Sequence, residues 1–86
     1  MYYFNSLPSF KRSFKKLGSK GLKDRCLKKF EMFSKNPKHP SFNTHYNKKR
    51  GHGQSSFTDE IRVLWDYGPE PGYITLVLIG KHDIVE

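Results

Sequence analysis

The residues best suited to chemistry are a histidine and an arginine that apolar segments would position. His82, followed by Asp83, comes directly after the most apolar run of the chain, residues 74–79. A titratable ring that follows a rigid strand is well placed to act as a catalytic group. Arg62 lies in the middle of a strand-like segment, where burying its charge is costly without an anion or a carboxylate partner. Arg62 therefore indicates either an anion-binding site or a structural ion pair.

A second candidate site is the basic loop 48–53, which reads K-K-R-G-H-G. Its three cations stand next to glycines, and such a loop can place them around a phosphate, although a solvated turn is the alternative. His45 precedes the loop on a weak strand, where it faces away from Tyr46. The remaining histidines, His39 and His52, fall in predicted loops and are assigned no role.

The segments that would position these side chains have the patterns of short strands. Residues 74–79 are apolar on both faces, which predicts a central strand with a layer packed on each side. Residues 60–67 (E-I-R-V-L-W-D-Y) alternate, so that Arg62 points away from the face that carries Trp65. The loop 68–72 (G-P-E-P-G) would join these two strands as a hairpin. Further strands are predicted at residues 1–6, 41–48 and 54–57.

Two amphipathic helices are predicted after the first strand. The spacing F-x-x-x-F-x-x-L over residues 10–17 gives one apolar stripe, and Pro8 suits the first turn of a helix of about ten residues. The segment 18–21 (G-S-K-G) interrupts this pattern and predicts the turn of a helical hairpin. A second helix would run from residue 19 or 22 to Lys35, before an Asn-Pro pair. Its apolar stripe is expected to contain Leu22, Cys26, Leu27, Phe30 and Phe33.

These elements follow one another as β-α-α-β-β-β. Their order predicts an α+β fold in which two N-terminal helices pack on one face of a small antiparallel sheet. A chain of 86 residues has room for one core, so residues 1–86 are expected to form a single domain. Cys26 lies on the apolar stripe of the second helix, which predicts a packed and unreactive thiol.

The charge of the chain indicates an anionic partner. Sixteen Lys and Arg against eight Asp and Glu give a net charge of +8, which suits RNA, DNA, an acidic protein or a membrane surface. No segment reaches the roughly 18 apolar residues of a membrane span, and the start lacks a signal-peptide pattern. A single cysteine forms no internal disulfide and fits a reducing cytoplasm. Zinc-ligand spacing is lacking in the sequence, so neither metal nor other cofactor is expected.

The order of several short motifs resembles the RelE/ParE toxin superfamily of bacterial toxin–antitoxin systems. The resemblance covers nearly the whole chain, and its last motif contains the Gly-x-His-Asp with which the family's terminal strand ends. The motifs are S-F-K-R-S-F-K-K-L at 9–17, F-S-K-N-P-K-H-P at 33–40, I-R-V-L-W at 61–65 and L-I-G-K-H-D at 78–83.

A RelE-like mRNA interferase is the function that this resemblance implies. Such a toxin enters the ribosomal A site and cleaves mRNA without a metal, through attack of the ribose 2′-OH on the adjacent phosphate. The reaction needs a base, a cation and an acid. By resemblance the family's strand arginine corresponds to Arg62 and its late histidine to His82. His45 and, more loosely, Glu60 match residues that some members carry, and the base is left open. The RNA-binding residues are expected to be Lys48, Lys49, Arg50, Lys81 and Tyr46.

The resemblance also implies partners and leaves alternatives. An acidic antitoxin would form a hetero-oligomer with the toxin, and ribosome and mRNA would be its targets, with no membrane involved. Many ribonuclease members carry an aromatic residue after His-Asp, where this chain has I-V-E, so Tyr46 or Tyr67 would have to stack on a base. The alternatives are a ParE-like inhibitor of DNA gyrase and a non-catalytic RNA-binding module of the same fold. Arg62 and His82 together favour RNA cleavage.

Overall fold

The computed structural model describes residues 1–81, in which two helices pack on one face of a five-stranded sheet. The strand order is β1-β5-β4-β3-β2, with β1 parallel to β5 and the other pairs antiparallel. In chain order the elements are β1 (Tyr3–Ser6), α1 (Pro8–Lys15), α2 (Lys20–Lys35), a 3-10 helix (Pro40–Phe42), β2 (His45–Asn47), β3 (His52–Ser56), β4 (Ile61–Tyr67) and β5 (Tyr73–Lys81). The α+β class is confirmed.

Two features of the sheet differ from the predicted layout. Residues 1–81 contain five strands, one for each of the five segments predicted as strands, so the order β-α-α-β-β-β counts one strand too few. The sheet is also mixed, because β1 runs parallel to β5. Pro8 begins α1 directly after Leu7, and α1 packs on β5. The first strand lies alongside β5 and runs in the same direction. Just after it, Leu7 N donates to Leu76 O at 3.0 Å.

The helices begin and end close to their predicted positions. Ser19 caps α2, because its side chain accepts a hydrogen bond from Leu22 N at 3.2 Å. The helix ends at Lys35, immediately before Asn36. The first helix is shorter than expected, with eight residues, because the chain turns after Lys15 and Leu17 N bonds to Phe14 O. Neither helix of the described range is long and apolar enough to cross a bilayer.

Aromatic rings from both layers form the core. Phe33 of α2 is fully buried, and its ring centroid lies 5.2–5.4 Å from those of Phe42, Phe57 and Trp65. Cys26 is also fully buried, and burial raises the pKa of its thiol, so the expected unreactive cysteine fits its surroundings. The prediction for Leu27 is wrong: its side chain is 55% exposed, on the solvent side of α2.

The prediction that β5 is central and covered on both sides is also wrong. In the described sheet β4 is central, and β5 lies between it and the edge strand β1. The helices cover one face of β5, while Val77 and Leu78 remain half-buried. The pairing with β4 is irregular between Leu64 and Trp65, which adds Val77 as an extra residue to β5. Two serines of α1 bond to this part of β5: Ser9 Oγ donates to Val77 O at 2.6 Å, and Ser13 Oγ accepts from Ile79 N at 3.1 Å.

Candidate functional site

The open face of the sheet, opposite the helices, carries two of the predicted site residues, Arg62 and His45. Along β4 every second residue is buried against the helices, and the residues between them, Arg62 among these, are partly exposed. Arg62 is paired with Ser56 of β3 and with Gly80 of β5. One step along the sheet His45 of β2 is paired with Gln54 of β3. Alternation along the strands therefore brings an arginine and a histidine to the same face.

Main-chain carbonyls bind the guanidinium of Arg62. Its Nη1 donates to Thr58 O at 2.9 Å, to Asp59 O at 3.2 Å and to Ile61 O at 3.3 Å. These acceptors belong to the bend between β3 and β4, which the Thr58 hydroxyl closes by accepting from Ile61 N at 3.0 Å. Carbonyl groups carry no net charge, so the hydrogen-bond partners of Arg62 within residues 1–81 orient its side chain without cancelling its positive charge.

The basic turn consists of Lys48, Lys49 and Arg50 and joins β2 to β3. The Asn47 side-chain oxygen accepts from Lys49 N at 3.0 Å and from Arg50 N at 3.2 Å. Gly51 closes the turn with a φ of 69°, a conformation that favours glycine, and its N donates to Asn47 O at 2.9 Å. All three cationic side chains are exposed. The turn therefore projects three positive charges from one end of the sheet.

An open concavity of about 660 Å³ lies between the basic turn and the open face. Sequence reasoning found His45, Tyr46 and the basic turn but missed the rest of its lining, because only strand pairing shows which β3 and β4 residues adjoin β2. The missed residues are Asn47, His52, Gln54 and Leu64. Gln54 is notable because its amide Nε2 is buried with no hydrogen-bond partner in the described residues.

His45 and Arg62 share a face but are not neighbours. Two strand spacings and two residues separate them, which corresponds to about 12 Å between their Cα atoms. The Arg62 side chain also turns towards the bend at Thr58, away from the basic turn. The open face therefore has two centres of positive charge, one at each end, and His45 lies nearer to the basic turn.

Tyr46 lines the concavity, but its ring is already engaged. Its phenol donates to Asp66 Oδ1 at 2.8 Å, and this hydrogen bond, followed by burial, raises the pKa of Tyr46. Its ring centroid lies 5.7 Å from that of Trp65 and 5.3 Å from that of Tyr67. Tyr67 in turn packs on Tyr2 at 5.8 Å. Both tyrosines are half-buried and in contact with other aromatic rings, and stacking of a base on either remains a prediction.

The other predicted site residues lie apart from the concavity. Lys81 is at the end of β5 and lines a separate cleft of about 370 Å³ with Arg12 and Lys16 beside α1. Glu60 is exposed at the bend that precedes β4, two residues from Arg62. His82 lies outside the described residues, directly after Lys81 in the sequence. Within residues 1–81, His, Cys, Asp and Glu side chains form no group of three that could bind a metal ion.

Comparison with known proteins gives structural relatives only. No family model matches the sequence, and no curated protein does. A metal-bound toxin from Helicobacter pylori is similar over all of both chains, with a TM-score of 0.77 and 17% identity. A YoeB/ParE toxin from Agrobacterium tumefaciens has a TM-score of 0.75 and 10% identity over 95% of this chain and 99% of its own.

A third similar chain comes from the DinJ–YafQ complex of E. coli. It has a TM-score of 0.69 and 11% identity over 99% of this chain and 98% of its own. Identities this low compare folds rather than activities. The agreement nevertheless extends over almost every residue of three toxin structures, and it matches the resemblance found in the sequence motifs. The chain therefore has the α+β fold of these similar structures.

Proposed function

We propose that the protein is the toxin of a type II toxin–antitoxin system and that it cleaves mRNA in the ribosomal A site. The observation that carries the proposal is the position of Arg62 on the open face, where main-chain carbonyls orient its guanidinium and no acidic side chain of residues 1–81 is hydrogen-bonded to it. A cation oriented in this way can stabilise the negative charge that develops on a phosphate during attack by the 2′-OH.

The other groups of the reaction are assigned by resemblance and position. His82 would protonate the leaving 5′-oxygen, and the base would be His45 or Glu60. Because His45 lies about 12 Å from Arg62 across the strands, Glu60 is the better placed of the two for a phosphate bound by Arg62. The basic turn would bind the RNA backbone at the other end of the face. The reaction needs no metal ion.

The comparisons support the toxin role. The similar structures include toxins of several bacteria, and one is a complex of YafQ with DinJ. For the present chain we propose an acidic antitoxin that covers the open face in the cytoplasm. With a net charge of +8 on the toxin, the complex should form rapidly at low salt, and its association rate should fall as salt is added.

Single-turnover cleavage on ribosomes programmed with mRNA tests the proposal. Arg62→Ala should slow cleavage by about 10²–10³-fold, because a cation on the developing charge is lost. His82→Gln should slow it by about 10²–10⁴-fold, as expected when a general acid is removed. Arg25→Ala is the matched control, since it removes an exposed arginine from α2. Thermal unfolding of each variant shows whether it is folded.

Other results would reject the proposal in different ways. If Arg62→Ala and His82→Gln both cleave at the wild-type rate, the proposed site is wrong. If cells that express the wild type accumulate DNA breaks while their mRNA stays intact, the gyrase-inhibitor alternative is correct. If the wild type binds RNA but cleaves none on the ribosome, the non-catalytic RNA-binding module is the better description.

A further inference from the structure

Two exposed tyrosines form a pair on the open face, at the end of the sheet where the basic turn lies. Tyr3 of β1 and Tyr73 of β5 are register partners, with ring centroids 5.8 Å apart and planes inclined by 40°. Their side chains are 66% and 37% exposed. Large aromatic side chains that remain exposed as a pair are unusual, because burying them would stabilise the fold. The pair therefore indicates a binding surface.

Tyr73 also lines a small concavity that has the polar groups of a base-binding site. Its volume is about 310 Å³, and Phe4, Asn5, Pro69 and Glu70 complete the lining. The Asn5 amide can donate or accept a hydrogen bond, and the Glu70 carboxylate accepts two. Thr75 fixes this corner, because its hydroxyl donates to Gly68 O at 2.9 Å and accepts weakly from Asn5 Nδ2 at 3.5 Å.

We propose that this concavity binds one unpaired nucleobase of single-stranded RNA, which stacks on Tyr73 and forms hydrogen bonds with Asn5 and Glu70. Stacking on aromatic rings and reading of a base edge by side chains are how proteins recognise unpaired RNA. Guanine suits Glu70 best, because its neighbouring N1–H and N2–H groups can both donate to one carboxylate. This inference rests on the proposed function, since it extends the path of the RNA on the same face.

The position of Tyr73 assigns it to a nucleotide away from the cleaved bond. Across the sheet, two to three strand spacings, about 10–15 Å, separate Tyr73 from the end of the basic turn. Along the sheet Arg62 is about 20 Å away, since the position opposite Tyr73 lies six residues further along the chain. An RNA bound by Arg62 and by the basic turn would therefore reach Tyr73 with a flanking base.

Fluorescence anisotropy with a labelled oligouridylate that carries one guanosine tests the proposal at a fixed low salt concentration. Tyr73→Ala should weaken binding by about 5- to 150-fold, the loss expected for one stacked base. Tyr73→Phe keeps the ring and should bind within about twofold of the wild type. Leu27→Ala is the matched control, since it truncates an exposed apolar side chain on α2.

Glu70→Gln tests recognition of the base without disturbing the rings. The readout is the ratio of affinities for the guanosine oligomer and for plain oligouridylate, because removing a negative charge raises the affinity for all RNA alike. The proposal expects this ratio to fall by about 5- to 150-fold. If Tyr73→Ala binds both RNAs as the wild type does, the base site is wrong even where Arg62→Ala still abolishes cleavage.

Two further outcomes would also overturn the inference. If Tyr73→Ala leaves RNA binding unchanged but weakens the complex with the protein encoded next to the toxin, the tyrosine pair is a protein-docking surface. If the wild type binds no RNA and Arg62→Ala has no effect on toxicity, the proposed function fails and the base site fails with it.

Discussion

The indole Nε1 of Trp65 donates a hydrogen bond of 2.9 Å to the hydroxyl of Ser55, and both side chains are fully buried. The hydroxyl of Thr44 donates to Pro37 O at 2.6 Å, and it lies 2.7 Å from Ser55 Oγ. The single proton of the Thr44 hydroxyl is used in its bond to Pro37 O. Ser55 Oγ must therefore donate to Thr44 Oγ1. A directed chain of hydrogen bonds thus joins β4, β3 and the segment before β2, and it fixes the strand that carries His45.

We predict that Ser55→Ala lowers the free energy of unfolding by about 1–3 kcal/mol, because the Trp65 N–H is left buried without an acceptor. Urea unfolding followed by the fluorescence of the single tryptophan measures this change. Ser56→Ala is the matched control, since Ser56 lies on the open face and is only half-buried. Equal stabilities of the two variants would contradict the prediction.

A substitution at Gly53 should disturb the same region by crowding. A Cβ at Gly53 would lie 2.7 Å from Trp65 Cζ2 and 3.1 Å from Tyr46 Cδ2. Gly53→Ala is therefore expected to destabilise the protein by about 1–3 kcal/mol, as overpacked cores do.

Gly21→Ala is the matched control for Gly53→Ala. Its new methyl group would meet Ser19 Oγ at 3.7 Å, an ordinary contact, and Gly21 lies in α2. Alanine favours the helix by up to about 1 kcal/mol, so this variant should be as stable as the wild type or slightly more so. Thermal unfolding of both variants decides the matter: a Gly53→Ala protein as stable as Gly21→Ala would show that Trp65 can move aside.

The helices could be predicted because their signals are local. Pro8 and the cap Ser19 each stand within the turn that they start, and the Asn36-Pro37 pair ends α2. The exposure of Leu27 could not be predicted in this way. Periodicity shows which side of a helix is apolar, but it does not show how wide a strip of that side the sheet covers. Burial of a residue at the edge of the stripe depends on which side chains the sheet places beneath it.

The sheet and the site depend on contacts between distant parts of the chain. Alternation in β4 correctly placed Arg62 on the face opposite Trp65, because side-chain direction is local. Strand order, the parallel β1 and the separation of His45 from Arg62 follow from pairing, for which no segment carries a signal of its own. The pairing of Tyr3 with Tyr73 was missed for the same reason. These residues are 70 positions apart, and each looks unremarkable in its own segment.

The hydrogen bond between Tyr46 and Asp66 predicts how stability depends on alkaline pH. This hydrogen bond, together with burial, raises the pKa of Tyr46 in the folded protein. The unfolded chain therefore loses this proton first, from about pH 10 upward. Stabilisation from the bond is complete below that pH, and it disappears as the pH rises through the higher folded value.

Unfolding free energies of the wild type and Tyr46→Phe, measured across this range, check the prediction. The wild type should be the more stable at neutral pH, and the difference should shrink above about pH 10. If the difference in unfolding free energy between the two proteins stays constant with pH, the hydrogen bond that the Tyr46 phenol donates does not contribute to stability in the way predicted.

The basic turn should dominate the dependence of RNA binding on salt. Removing one cation that binds a phosphate reduces the slope of log K against log salt by about 0.7 for single-stranded RNA. The double variant Lys48→Ala/Lys49→Ala should therefore bind a labelled oligouridylate more weakly and with a shallower slope. Lys20→Ala/Lys28→Ala removes the same charge from exposed positions of α2 and should leave the slope nearly unchanged. If both double variants reduce the slope equally, net charge alone attracts RNA, and the position of the turn is unimportant.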